Sequence, residues 1–134
     1  MNALRIAILL SLVLLFPRTS QAQSNIAYFG LEPDIITNYL SPSARNLGYV
    51  RLTIELMIED VDQLEAIEHH SPLLRATIIE IFGRQPEDKV KSLTGREDIR
   101  RIILEELQRL MRKETGKEMI KNVIYTKYLY QGGQ

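Results

Sequence analysis

YVRLTIELMIED, residues 49–60, alternates apolar and polar residues from Val50 to Glu59, with Met57 as the one apolar residue on the polar parity. Val50, Leu52, Ile54, Leu56 and Ile58 fall on one parity; Arg51, Thr53, Glu55, Met57 and Glu59 fall on the other. A period of two is the signature of a β-strand with one dry face and one wet face. Strands buried on both faces read as continuous apolar runs, so this is a strand of an antiparallel sheet. Burying its five apolar side chains is worth about 7–15 kcal/mol gross, before chain entropy takes most of it back. Something downstream must cover that face.

The cover is legible in the residues that follow. Val61 to Phe82 reads as helical, interrupted at Ser71-Pro72, where serine suits an N-cap and proline the first helical position. The reading is a short helix to about His69 and a second from Pro72, with Leu74, Ile78, Ile79 and Phe82 on its buried face and Gly83 as its stop. RQPEDKVK, residues 84–91, is a connector with one helical turn. Thr94-Gly95-Arg96-Glu97 matches a capping box with Thr94 as N-cap. Ile99, Ile102, Ile103, Leu107, Leu110 and Met111 then recur at helical spacing. Acids cluster early (Glu97, Asp98) and bases late (Arg109, Arg112, Lys113), as the helix dipole favours. Glu97 with Arg101 and Glu105 with Arg109 form i,i+4 pairs. ETGKE ends this helix, and Met119 to Tyr130, rich in β-branched and aromatic residues, reads as a closing strand.

Upstream, Ser24 to Leu31 and Ile35 to Leu40 are short extended runs around the turn triplet EPD, and SPSARN is loop by composition. Strands, helices, then a strand give an α+β fold: a small antiparallel sheet packed with two or three amphipathic helices. The last strand is placed beside the long one. Strict alternation then puts Tyr128 and Tyr130 on one face and Tyr125 on the other.

The chain has 134 residues, enough for one domain, with 17 basic and 17 acidic residues. That balance argues against nucleic acid, which needs a basic face. There is no cysteine, hence no disulfide framework, thiolate metal site or thiol nucleophile. The first 22 residues stand apart. Arg5 precedes an apolar run, Ile6 to Phe16, which Pro17 ends, and Ser20-Gln21-Ala22 sets small residues three and one before a cut, as signal peptidase requires. As helix, that run reaches only about 16 Å, against a hydrocarbon core of about 30 Å. The expectation is a cleaved signal peptide over residues 1–22 and a domain over 23–134; the alternative is a short uncleaved membrane anchor. Removal takes away Arg5 and Arg18 and leaves acids in slight excess.

A search for chemistry finds little. His69 and His70 are the only histidines, and Glu65 and His69 stand at i,i+4. A catalytic zinc site needs three protein ligands, and no other histidine or cysteine exists to complete one. A solvated helix end is the plain reading, with pH sensing by the adjacent pair as the remaining functional one. There is no nucleophile elbow and no phosphate-binding glycine loop. The arginines of the second long helix are interleaved with acids, which describes a solvated face. No cofactor is expected, and the chain does not read as an enzyme. The tyrosines have no spanning segment beside them to make a membrane belt and no basic groove to make a stacking platform. Tyr128 and Tyr130 remain candidates for packing on the core or on a neighbouring subunit.

Taken in order, YFGLEPDIITNYL (28–40), RLTIELMIED (51–60), HHSPLLRATIIEIFG (69–83), LTGREDIRRIILEEL (93–107) and VIYTKYLYQ (123–131) resemble the flagellar basal-body-associated FliL family. Pro33, Asn38, Pro72, Gly95, Arg96 and Gln131 are the positions that carry its motifs. The resemblance implies a periplasmic domain of the stomatin/prohibitin (SPFH) type that assembles into homo-oligomeric rings beside the stator units of the flagellar motor. It implies support of torque, swimming and swarming without catalysis, at the inner-membrane basal body. Family members normally keep a transmembrane helix and a linker. Here the apolar run is short and the domain follows almost at once, so the chain is expected to be peripheral to the inner membrane, or single-pass if the segment is not cut. Two further readings compete: an exported ligand- or lipid-binding module, and a stomatin-like scaffold unrelated to flagella.

Overall fold

In the computed structural model, residues 23, 25–42 and 47–132 are described. The leader and its cleavage residues Ser20 and Ala22 lie outside them, as does most of SPSARN. The elements are β1 (Ala27–Gly30), β2 (Ile35–Tyr39), β3 (Gly48–Ile58), a 3-10 turn (Val61–Gln63), α1 (Leu64–Gly83), α2 (Glu87–Lys91), α3 (Leu93–Thr115) and β4 (Ile120–Gln131). The fold is α+β. β3 is the axis of an antiparallel four-stranded sheet. β1 and β2 share one of its edges in series, Ala27 opposite Ile58 and Ile35 opposite Leu52, and β4 runs along the other, from Ile120 opposite Ile58 to Gln131 opposite Tyr49.

The alternation in β3 translates directly into packing. Val50, Leu52, Ile54, Leu56 and Ile58 are fully buried, and the helices cover that face alone. α1 lies over β1 and β2, α3 over β4, and the two helices touch each other. Ile67, Leu74, Ile78 and Phe82 of α1 meet Ile99, Ile103, Leu107 and Met111 of α3 in one core with Leu31, Ile35, Tyr39, Val90, Ile120 and Val123.

Two helix boundaries differ from the sequence expectation. Pro72 does not start a helix; it sits inside α1, which runs unbroken from Leu64 to Gly83. The proline removes one backbone hydrogen bond and crowds the preceding turn, a cost of about 3 kcal/mol in a helix interior. Continuity keeps Ile67 in line with Leu74, Ile78 and Phe82, and burying that four-residue stripe outweighs the local loss. His70 adds a local bond, its ring Nδ1 donating to the Ala66 carbonyl at 2.7 Å. Ile79, expected on the buried stripe, is 41% exposed because it lies one residue off the line that faces the sheet.

The second correction is at α3. Its N-cap is Ser92, whose Oγ accepts from the Gly95 amide at 3.0 Å, and Thr94 lies inside the helix. α2 ends directly at Ser92, so the cap moves two residues upstream of the capping box. Within the helix Glu97 pairs with Arg100, and Glu106 with Arg109, at i,i+3, in place of the expected i,i+4 pairs. At the far end Gly116, with φ +84°, gives α3 its left-handed cap, and its amide donates to the Arg112 carbonyl.

Candidate functional site

The closing strand carries the tyrosines, and its geometry departs from simple alternation. The pairing of β3 with β4 slips once between Thr53 and Ile54 and again between Met57 and Ile58. Thr126 is the extra residue of the first bulge. It flips the phase of the strand, so Tyr125, opposite Ile54, and Tyr128, opposite Leu52, point to the same inner face. The expectation that Tyr125 faces away from Tyr128 is thereby overturned: their rings meet at 5.2 Å, edge to face.

The helical layer answers this strand with cations. The Arg96 guanidinium lies 4.1 Å from the Tyr128 ring centroid, and Lys91 Nζ 5.7 Å from that of Tyr130. Tyr128 donates its hydroxyl to the Val90 carbonyl at 2.7 Å and packs on Phe82. Arg100 donates to Asn122 Oδ1 at 2.5 Å while gripping Glu97, and Gln108 donates to the Ile120 carbonyl at 2.8 Å. Each step back along the helices meets a step forward along β4, so the contacts work as a zipper. Burial pushes the Tyr128 phenol up to about 12 and that of Tyr125 higher still. Both stay protonated near neutral pH, which leaves them without the character of a general base. The Tyr125 hydroxyl and Arg96 Nε are buried without hydrogen-bond partners.

The motif positions do not converge on one site. Gly95 sits where α3 crosses α2, and a Cβ there would come within 2.2 Å of the Lys89 carbonyl oxygen. Its neighbour Arg96 stacks on Tyr128. Pro33 follows a cis peptide and gives its carbonyl to Arg75 Nη1 at 2.6 Å, tying the turn between β1 and β2 to α1. Asn38 donates to the Gly48 carbonyl at 3.3 Å, and Gln131 Oε1 accepts from the Tyr49 hydroxyl at 2.9 Å. These last two stitch the far end of the sheet. Pro72 stands alone on the exposed side of α1. Of the two tyrosines set aside for an interface, Tyr128 is engaged within the domain and Tyr130 is 45% exposed.

Sequence reading missed the centre of the open sheet face. There Asp34 accepts from Thr53 Oγ1 at 2.6 Å, Arg51 Nε at 2.6 Å and Lys127 Nζ at 3.3 Å. The Thr53 and Arg51 bonds, with Lys127 behind them, hold its carboxyl at about 2, below the usual 3.8. The polar parity of β3 supplied two of these residues, but Asp34 reads in sequence only as part of a turn triplet. Beside this knot Ile36 and Leu129 are exposed, at 61% and 56%. With Tyr49, Arg51, Tyr130 and Gln131 they line a depression of about 300 Å³. His69 and His70 lie edge to face at 5.0 Å. Among the described residues no group of three or more His, Asp or Glu is placed to hold a metal ion, and no helix is long and apolar enough to cross a membrane.

The comparisons with known proteins agree with one another. The family model described as "Flagellar basal body-associated protein FliL" matches residues 28–131, from β1 through the last residue of β4. The "Flagellar protein FliL" of Aquifex aeolicus (strain VF5) is 26% identical over 115 residues, covering 86% of this chain and 67% of that protein. With all of the described elements but the first residue of β1 inside the matched span, the chain belongs to the FliL family of flagellar basal-body-associated accessory proteins.

Proposed function

We propose that this protein is a non-catalytic accessory of the flagellar motor, held in the periplasm beside the stator units, where it supports torque and with it swimming and swarming. The observation that carries this reading is the extent of the family match, which runs from Tyr28 in β1 to Gln131 at the end of β4. Two features are consistent with a scaffolding role. The motif residues other than Pro72 are distributed along the fold as braces, and burial pushes the Tyr125 and Tyr128 phenols up, away from deprotonation near neutral pH. The proposal includes a ring of copies around its partners. It also includes removal of residues 1–22 after Ala22, with the uncleaved segment as the alternative anchor; a mature protein starting at Gln23 supports the first, an intact Met1 the second. Deleting the gene should leave filaments assembled while swimming speed in viscous medium and swarm diameter fall. Unimpaired motility under high load would overturn the reading.

A further inference from the structure

Charge is segregated across this domain. Between Arg51 and Arg75 the sequence holds Glu55, Glu59, Asp60, Asp62, Glu65 and Glu68 and no lysine or arginine. Glu59, Asp62, Glu65 and Glu68 are exposed, and none of the four takes part in an ion pair among the described residues. They surround the start of α1 on the β1 flank, where the Val61 amide donates to the Asn25 carbonyl. On the opposite flank, where α3 ends and β4 begins, Lys113, Lys117 and Lys121 are exposed. Of the acids there, Glu118 is taken by Arg112, leaving Glu114 to oppose the lysines.

The two flanks stand at the same height. Both lie at the Ile58 end of β3: Ala27 of β1 and Ile120 of β4 are each paired to Ile58, and the Glu59 amide donates to the Met119 carbonyl. Helix dipoles explain charges within one turn of each terminus. They do not reach Glu59, before the helix, Glu68 in its second turn, or Lys117 and Lys121 beyond the end of α3. Each flank also carries an open strand edge, since among the described residues β1 and β4 pair with β3 alone. An acidic side and a basic side at one level, a sheet-width apart, match each other on successive copies of the same chain.

We propose that this protein self-associates head to tail, the flank of Glu59, Asp62, Glu65 and Glu68 in one copy meeting the flank of Lys113, Lys117 and Lys121 in the next. This deepens the ring reading and rests on it, since a repeated heterologous contact closes into a ring when its rotation allows. Opposite potentials bring the flanks together and fix their order.

The test uses the full chain and two charge reversals at exposed positions: Glu65→Lys with Glu68→Lys, and Lys117→Glu with Lys121→Glu. Light scattering at low ionic strength reads assembly, and circular dichroism verifies that both variants fold. Wild type should form species larger than a dimer that dissociate as salt rises. Each reversal alone should weaken association about 100-fold or more. Mixing the two reversed proteins should restore large assemblies, because each then meets its opposite. Reversed variants that assemble like wild type would overturn the proposed surface and leave the ring reading intact. A wild-type protein that stays monomeric at every concentration and salt would overturn both.

Discussion

Single residues set the close contacts, and Gly95 is the tightest of them. A methyl group there would meet the Lys89 backbone, which cannot swing aside as a side-chain tip can. Gly95→Ala should therefore destabilise the domain by about 1–3 kcal/mol despite alanine's better helix propensity. A lower urea midpoint at unchanged slope is the expected result. Asp34 acts through charge. Its folded pKa, about 2, lies below the unfolded 3.8, so its contribution is fully present above 3.8 and is lost as pH falls toward 2. Asp34→Asn should remove that component. The stability difference between wild type and variant should shrink across this window, and a gap that stays constant from pH 5 to pH 2 would remove Asp34 from the account. Asp34 went unmarked in the sequence, and Gly95 stood out only through the family resemblance, without its close contact. Glycine at the start of a helix reads as a weak helix former, and an aspartate after proline reads as a turn.

At the level of elements, legibility followed period. β3 was readable because its five inward residues obey one rule over its whole length, and α3 because its apolar stripe recurs from Ile99 to Met111, about three turns. What failed were places where a tertiary contact overrode a local signal. Ser71-Pro72 is a sound start signal, but α1 gains more by keeping Ile67 in register than a break would save. Thr94 is a sound cap, but the short α2 brings Ser92 there first. The bulge at Thr126 left no mark in sequence, so the facing of Tyr125 was beyond reach. Pro72→Ala follows from this. It restores a backbone hydrogen bond on an exposed stretch of α1 and should raise stability by about 1–3 kcal/mol, less what the freer unfolded chain gives back. A fall in melting temperature would mean that proline itself is needed at this position for packing. For α3, Leu107→Asp places a charge in the core and should unfold the domain. Arg112→Ala loses one exposed ion pair with Glu118 and should stay within about 1 kcal/mol of wild type. Equal losses from the two would mean the helix faces the other way.

For the whole molecule, the domain is a sheet covered on one face, with the helical layer zipped to β4 by Arg96, Arg100 and Gln108. The other face is left open around the Asp34 knot. Its motif residues, Pro72 apart, hold elements together and do not converge on one site, which fits an accessory whose work is done by contact. The central claim is that these contacts are made at the flagellar motor. The most direct measurement is a cross-linked purification of a C-terminally tagged copy from motile cells, with the captured proteins identified by mass spectrometry. The account predicts stator or basal-body proteins among them, together with untagged copies of this chain. A capture that holds no motor component would contradict it.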